Sequence, residues 1–309
     1  MTPIVCLDAG FSHGFDRPFG WSEPGMHFRV ESPEAVVETL SRLESHCAQG
    51  AYAVVALNFE AAHCLMTRPK HFQVRHHSVP LLEAWLFETP PQVLTVGEAP
   101  DTTPWPIWES PDRGAYAQAF SAIQEAIAEG VCYQVNHTFR MRGRMQASPW
   151  ALYQQTGQTQ PAHYGGFVDF GARQIVSRSP ELFLAKRGQR LRAEPMKGTA
   201  ARHADLNEDE VVLQTLLDDP KMQAENLMIV DLIRNDLSQV AVSGSVSVPA
   251  LFSAQSLKSV HQVSSTVEAD LAEHHDLVST LSALFPCGSV IGAPKAQALQ
   301  LIQDLEADA

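Results

Sequence analysis

A single lysine stands between small residues in a segment whose composition suits contact with a bound ligand. Residues 195–199 read PMKGT, so Lys197 is followed by Gly198 and Thr199. Glycine allows a ligand to approach the backbone closely. A lysine amine acts as a nucleophile only when burial or a neighbouring cation lowers its pKa from about 10.4. These residues alone leave two interpretations open: a nucleophile in a binding site, or a surface lysine in a turn.

Two glutamates occupy positions where acid chemistry or metal binding would use them. Glu181 follows a Ser-Pro pair at the start of a predicted strand, and it becomes a candidate general acid if its pKa is raised. Glu225 lies with Asp231 in an apolar stretch, residues 224–237. A carboxylate on a buried helix needs a partner, either an arginine or a metal, and Mg²⁺ favours carboxylate oxygens. A strand-edge glutamate and a solvated helical glutamate are the alternatives.

A third segment brings glycines and a lysine to the start of a predicted helix. Residues 285–295 read FPCGSVIGAPK and include Gly288, Gly292 and Lys295. Free N–H groups and the dipole at a helix start attract anions, so this segment is a candidate carboxylate-binding loop. It lacks the Gly-Lys-Ser/Thr ending of a nucleotide-binding P-loop. The alternative is a glycine-bearing connector without a ligand.

The elements that position these residues mix helices with short strands. Apolar spacing and capping residues, such as Ser32 before Pro33, predict helices over residues 32–43, 116–127, 208–217, 221–234 and 297–306. Strand-like runs lie at residues 52–56, 131–141, 167–170, 174–177 and 181–185. This mixture predicts an α+β fold. A proline-rich segment, residues 89–113, predicts a linker between subdomains 1–110 and 111–309.

The composition excludes several classes of protein. Of the 309 residues, 45% are hydrophobic and 18% are charged, which suits a buried core and one or two domains. The formal net charge of −13 argues against nucleic-acid binding, because phosphate contacts need Lys and Arg. The 5 scattered cysteines lack a CxxC pair, which argues against disulfides or zinc and favours a reducing cytosol. Without a recognisable signal peptide or long apolar run, we expect a cytoplasmic protein with no membrane span.

The order of the motifs along the chain resembles that of the chorismate-utilising enzymes, which include anthranilate, aminodeoxychorismate, isochorismate and salicylate synthases. The motifs are residues 133–136 (YQVN), 179–183 (SPELF), 195–199 (PMKGT), 224–237, 260–262 (VHQ) and 285–295. The resemblance is strong over about residues 114–306 and weak before them. It implies an anthranilate-synthase-like fold, with two facing antiparallel sheets and outer helices.

Two positions favour one branch of this family. Anthranilate synthases resemble PIAGT at the third motif, whereas aminodeoxychorismate synthases carry a lysine there, as this chain does at Lys197. Water-using isochorismate and salicylate synthases carry a lysine base where this chain has Gln134. A glutamine cannot deprotonate water, so the resemblance favours ammonia as the nucleophile. It implies synthesis of 4-amino-4-deoxychorismate for 4-aminobenzoate and folate, with anthranilate synthase component I as the alternative.

The resemblance also implies roles for the candidate residues. Mg²⁺, held in part by Glu225, would bind the ring carboxylate of chorismate. Lys197 would attack C2, Glu181 would protonate the leaving C4 hydroxyl, and ammonia would add at C4 and expel the lysine. Further contacts to the substrate are expected from a set of glycines and polar residues in the motifs: Gly198, Thr199, Gly288, Gly292, Lys295 and His261.

Partners and an incomplete catalytic domain are further implications of the resemblance. Ammonia would come from a separate glutamine amidotransferase subunit, and an aminodeoxychorismate lyase, fused or separate, would act downstream. No nucleic-acid or membrane partner is expected. The family continues beyond the helix that ends here near residue 306 and adds a second Mg²⁺-binding glutamate, so we expect residues 111–309 to lack their C-terminal part. The remaining alternatives are a truncated, non-catalytic partner subunit and an N-terminal subdomain that binds tryptophan.

Overall fold

The computed structural model describes residues 2–11, 14–66, 79–99, 105, 107–109 and 112–306, so part of the predicted linker lies outside the described residues. Helices and strands are mixed along the chain, and every strand pairing in these ranges is antiparallel. The predicted α+β class is therefore confirmed. No helix within the described ranges combines the length and apolarity needed to cross a lipid bilayer.

The longer helices begin close to the positions that the sequence predicts. Ser32 is the N-cap of the first, with Pro33 at its first turn, although the Ser32 side chain makes no capping hydrogen bond. The helices are α1 (Pro33–Ala48), α2 (Ala62–Leu65), α3 (Arg113–Ala128), α4 (Pro149–Thr159), α5 (Leu206–Asp218), α6 (Pro220–Ser238), α7 (Leu277–Leu284), α8 (Gly288–Ile291) and α9 (Lys295–Leu305). Of these, α4 and α7 are the longer helices that apolar spacing did not indicate.

The strands are mostly short. They are β1 (Val5–Leu7), β2 (Phe19–Trp21), β3 (Met26–Val30), β4 (Tyr52–Leu57), β5 (Leu82–Phe87), β6 (Gln92–Val93), β7 (Ile107–Trp108), β8 (Gln134–Val135), β9 (Gly143–Arg144), β10 (Tyr164–Asp169), β11 (Gln174–Ser179), β12 (Leu182–Arg187), β13 (Arg190–Glu194), β14 (Met196–Ala201), β15 (Ser247–Ser256), β16 (Val260–Asp270) and β17 (Gly292–Ala293). One five-stranded sheet has the order β11-β10-β1-β2-β6, and a second has the order β12-β13-β16-β14 with β15 also paired to β16. A smaller sheet has the order β3-β5-β4.

The first five-stranded sheet packs against the three-stranded sheet across an aromatic core. This core is formed by six buried residues: Val5, Trp21, Trp85, Phe87, Val168 and Phe170. Val5 of β1 pairs with Val168 of β10, so strands from before and after residue 110 share one sheet. The predicted division into residues 1–110 and 111–309 therefore does not separate the sheets. Residues 92–93, inside the predicted linker, also belong to this sheet as β6.

The second five-stranded sheet carries Lys197 and rests on α6. Leu191 of β13 and Val267 of β16 are fully buried against Ile229 and Ile233 of α6. Burial of each such side chain stabilises the fold by about 1.5–3 kcal/mol. The sheet and α6 therefore pack together and fix the positions of the residues where they meet.

Residues 131–141 form a strand over two residues only, which corrects the prediction of a longer one. Gln134 and Val135 pair as β8 with Ala293 and Gly292 of β17. Strand-like composition is not sufficient for a strand, because the ladder needs a partner backbone alongside. In the described part of the chain, β17 supplies that partner for two residues.

A buried carboxylate, Asp209 of α5, ties the end of β14 to β16. Arg202 Nε donates to both Asp209 oxygens at 3.0 and 2.8 Å, and the His203 backbone N–H donates at 2.7 Å. His261 of β16 contacts Asp209 through Nε2 and Ser256 through Nδ1, each at 2.9 Å. Both ring nitrogens of His261 therefore have protein partners, and the residue is 2% exposed. Both polar atoms of His261 are thus used within the fold, and contact of this residue with a substrate stays a prediction.

Asp209→Asn is expected to lower the free energy of unfolding in a pH-dependent way. The Arg202 guanidinium, with hydrogen bonds from His203 and His261, holds the pKa of Asp209 well below its usual range. A depressed pKa stabilises the folded state above the unfolded value of about 3.9, and this stabilisation is lost as the pH falls below that value. Denaturant unfolding of both proteins between about pH 7 and pH 3 measures the change.

Asp231→Asn is the matched control, because the Asp231 side chain is 75% exposed and pairs with Arg234 at the surface. The stability difference between wild type and Asp209→Asn should be largest near neutral pH and smallest near pH 3, whereas the control should stay close to wild type throughout. A difference for Asp209→Asn that is constant over this range would contradict the assigned role of the ion pair.

Candidate active site

Lys197 is partly buried on β14, with the Glu181 and Glu225 carboxylates and the Cys287 thiol as its electrostatic neighbours. Burial lowers the pKa of the Lys197 amine, and the charges of Glu181 and Glu225 oppose this change. A lowered pKa increases the fraction of neutral amine, which is the nucleophilic form. The interpretation as a surface lysine in a turn is therefore wrong.

Glu181 lies between β11 and β12, and its carboxyl interacts with the Lys197 amine. The Ser179 hydroxyl accepts a hydrogen bond from the Glu181 N–H at 3.3 Å, which fixes the Ser-Pro turn. Burial raises the pKa of the Glu181 carboxyl, whereas hydrogen bonds from Ser289 and the Met196 backbone and the Lys197 charge oppose the rise. The site thus holds an amine and a carboxyl whose pKa values burial shifts toward their neutral forms. Such a pair suits nucleophilic and acid catalysis in one place.

Gly198 and Thr199 continue β14 past the lysine. Gly198 has a φ of +98°, and a Cβ there would lie 2.4 Å from Met222 Cγ of α6. Glycine is therefore required by the backbone conformation and by close packing on α6. Thr199 is exposed and pairs across the sheet with Gln262. Contact of Gly198 and Thr199 with a substrate stays a prediction.

Close packing also explains the glycines of residues 285–295. A Cβ on Gly288 would lie 2.3 Å from Leu232 Cδ2 of α6, so α8 sits directly on that helix. Gly292 has a φ of +134°, and a Cβ there would lie 2.1 Å from the Gln134 carbonyl oxygen. Gly288 allows α8 to pack on α6, and Gly292 allows β17 to lie close to β8. Contact of either glycine with a ligand stays a prediction.

Lys295 lies at the start of α9, but its amine points into the protein. Lys295 Nζ lies 2.7 Å from Asp236 Oδ2 and donates to the carbonyls of Ala283 and Leu284 at 3.4 and 3.0 Å. Burial raises the pKa of Asp236, and the charge of Lys295 opposes that rise. The ion pair neutralises the Lys295 charge and links α9 to α6. This geometry corrects the prediction that Lys295 supplies its charge to a carboxylate of the substrate.

Glu225 of α6 is a second acidic residue whose charge acts on Lys197. Its side chain is 40% exposed, with Lys221 Nζ at 3.8 Å. Asp231 of the same motif points to the surface and pairs with Arg234, so the fold does not bring it to the site. Within the described ranges, no group of three or more His, Cys, Asp or Glu residues is arranged to hold a metal. Glu225 alone would supply one carboxylate, which fits Mg²⁺ only together with ligand oxygens and waters.

Two residues beside Glu181 were missed by the sequence reasoning. Ser289 Oγ donates to Glu181 Oε1 at 2.5 Å, and Cys287 Sγ lies 3.0 Å from Ser289 Oγ. Ser289 is 108 positions from Glu181 along the chain, so no local pattern relates them. In residues 285–295 the glycines and the lysine suggest a binding loop, although the Ser289 hydroxyl is the group that reaches Glu181.

A family model described as chorismate binding enzyme matches residues 29–309 of this chain. Aminodeoxychorismate synthase component 1 of Klebsiella aerogenes is 40% identical over 194 residues, which are 63% of this chain and 43% of that protein. Anthranilate synthase component 1 of Thermus thermophilus is 36% identical over 194 residues, which are 63% of this chain and 42% of that protein. The chain thus spans less than half the length of these relatives.

The fold comparison gives the same result. The crystal structure of anthranilate synthase component I from Streptococcus pneumoniae superposes with a TM-score of 0.79 at 20% sequence identity, over 93% of this chain and 76% of that chain. The predicted anthranilate-synthase-like fold is confirmed by this similarity. With the family match over residues 29–309 and the motifs gathered around Lys197 and Glu181, the chain belongs to the family of chorismate-binding enzymes.

Proposed function

We propose that this chain is the synthase component of an aminodeoxychorismate synthase, which converts chorismate and ammonia to 4-amino-4-deoxychorismate. The observation that carries the proposal is the pairing of Lys197 with Glu181: burial lowers the pKa of the amine and raises that of the carboxyl. A candidate nucleophile and a candidate general acid are thereby available within one electrostatically coupled site.

Lys197 would divide one difficult substitution into two easier steps. Its neutral amine attacks C2 of chorismate, both conjugated ring double bonds shift round the ring toward C4, and the C4 hydroxyl leaves as water with a proton from Glu181. Ammonia then attacks C4, the double bonds shift back, and the bond between C2 and the lysine nitrogen breaks to regenerate the amine. The raised pKa of Glu181 keeps the proton available at a higher pH than an ordinary carboxyl would.

Gln134 supports ammonia rather than water as the second nucleophile. Its amide cannot act as a base at the pH where the enzyme works. Its Nε2 donates to Asn136 Oδ1 at 3.2 Å, and its Oε1 is buried without a hydrogen bond from any described residue. Asn136 in turn donates to the Ser289 carbonyl, so Gln134 is joined to the residues around Glu181. The Gln134 amide oxygen can accept a hydrogen bond from ammonia, and it is the lack of a base at this position that disfavours water.

Mg²⁺ and an ammonia-supplying subunit complete the proposal. When bound, Mg²⁺ would polarise the substrate through its ring carboxylate. Glu225 would hold it, and its half-exposed carboxylate, whose charge acts on Lys197, supports this role. The ammonia would come from a glutamine amidotransferase subunit, and the product would pass to a lyase that forms 4-aminobenzoate.

Mass spectrometry of the reaction products tests the assignment directly. The purified chain is incubated with chorismate, Mg²⁺ and an ammonium salt at mildly alkaline pH. A product with the mass of aminodeoxychorismate supports the proposal. Anthranilate together with pyruvate would instead identify an anthranilate synthase, the activity named for the Thermus thermophilus relative. Absence of both products, with chorismate still bound, would indicate a non-catalytic subunit.

Lys197→Ala is expected to reduce formation of the 4-aminated product by at least about a thousandfold, because the covalent route is lost. Lys197→Arg is the matched control: it keeps the positive charge without a nucleophile that can be deprotonated. Both variants should be equally inactive if the lysine acts covalently. Recovery of activity in Lys197→Arg would show that the residue acts through its charge alone. Product is quantified by mass spectrometry at saturating chorismate.

Glu181→Gln is expected to lower kcat by about 10²–10⁴-fold, the range for loss of a general acid. The amide is close in size to the carboxyl, so chorismate binding should change little. The ratio of kcat to KM effects is read from initial rates at several chorismate concentrations. A variant that loses binding while kcat is kept would contradict the role of acid.

Glu225→Gln is expected to raise the Mg²⁺ concentration needed for half-maximal activity by at least about tenfold, because an anionic ligand oxygen is lost. Asp231→Asn on the same helix is the control, since Asp231 points to the surface. Magnesium titrations of activity and of the chorismate-dependent rise in Tm measure the change. Equal Mg²⁺ requirements in wild type and Glu225→Gln would exclude this carboxylate as a ligand.

A further inference from the structure

One oxygen of Glu181 is engaged by a short chain of side chains on α8. Ser289 Oγ donates to Glu181 Oε1 at 2.5 Å, and Cys287 Sγ lies 3.0 Å from the same Oγ. In its ionised form the Glu181 carboxylate only accepts hydrogen bonds, so in that form the Ser289 hydroxyl donates to it and the Ser289 oxygen is left to accept from the Cys287 thiol. Burial raises the pKa of Cys287, which keeps the thiol protonated for this contact.

The backbone of Ser289 is fixed from the opposite side by β8. Asn136 Nδ2 donates to the Ser289 carbonyl at 2.6 Å, and the Asn136 N–H donates to the Ile291 carbonyl at 2.8 Å. Ser289 is itself 4% exposed, so solvent has little access to its hydroxyl. The hydroxyl is therefore held in one direction by its own backbone and by the thiol next to it.

We infer that Ser289, oriented by the Cys287 thiol, is a positioning residue that fixes the direction and the protonation of the Glu181 carboxyl. The inference rests on the proposed function, in which Glu181 is the general acid. A hydroxyl that donates to the carboxylate stabilises its ionised form, so it opposes the effect of burial. Ser289 thus limits how far burial raises the pKa of Glu181, and it holds the carboxyl in one orientation toward Lys197.

Other titratable groups near Glu181 lie on β14, α6 and α9 and at the N-cap of α8. Lys197 reaches it from β14 and Cys287 from the start of α8. Glu225 of α6 acts on Lys197, and Lys295 of α9 acts on Cys287, so both influence Glu181 at one remove. The variants used to test this role keep Lys197, Glu225 and Lys295 unchanged. Cys287 is changed only in its own two variants.

An infrared titration of the Glu181 carboxyl in the protein without substrate or Mg²⁺ tests the inference. The carboxyl band is assigned by its absence from Glu181→Gln. We expect Ser289→Ala to raise the pKa of Glu181 by about one unit, because a hydrogen bond to the charged form is lost. Cys287→Ala should raise it by less. Ser289→Thr keeps the hydroxyl and Cys287→Ser keeps a donor, so both should titrate within about 0.3 unit of wild type.

An unchanged pKa in Ser289→Ala would overturn the inference, and so would an equal rise in Ser289→Thr, which would point to altered packing. Thermal unfolding establishes that each variant is folded, and if Ser289→Ala is not, the two Cys287 variants provide the comparison. In an active enzyme, the alkaline limb of the pH–rate profile should move with the titration. Since the titration needs no turnover, a wild type without product would refute the proposed function separately.

Discussion

The site depends on burying a lysine amine and a glutamate carboxyl near enough for their charges to interact. For either charge alone, transfer out of water would cost several kcal/mol. Together, Lys197 and Glu181 each lessen the cost of the other, while burial still shifts their pKa values in opposite directions. The pair therefore combines a weaker base, which is a better nucleophile near neutral pH, with a carboxyl that retains its proton. This combination is what a covalent substitution at a hydroxylated ring requires.

The surrounding structure fixes the backbone on which this pair is carried. Two ion pairs outside the site, Lys295 with Asp236 and Arg202 with Asp209, hold α9 to α6 and α5 to the sheet. Glycines let α8 and β14 lie directly on α6, because any side chain there would collide with it. The two ion pairs therefore stabilise the fold, whereas Lys197 and Glu181 are the charged groups of the candidate active site. The site can hold shifted pKa values because neighbouring backbone segments have little freedom to relax.

The sequence predicts the parts of the fold whose signals are local. Apolar spacing and capping residues located α1, α3, α5, α6 and α9, and the order of the motifs indicated the family and the residues gathered at the site. The failures concern contacts between distant segments. Residues 131–141 have the composition of a strand, but a partner strand lies beside two of them only. His261 and Lys295 pair with acidic residues that no local pattern identifies. Ser289 was missed for the same reason, since its role exists only where α8 meets Glu181.

The most direct test of the central claim is a search for a covalent adduct at Lys197 after mixing with chorismate and Mg²⁺ in the absence of ammonia. The first step then has no second nucleophile to complete the reaction. Intact-protein mass spectrometry after rapid quenching, followed by peptide mapping, should find chorismate minus water attached to the peptide that contains Lys197. An unmodified Lys197 in a sample that forms aminated product as soon as ammonia is added would contradict the account.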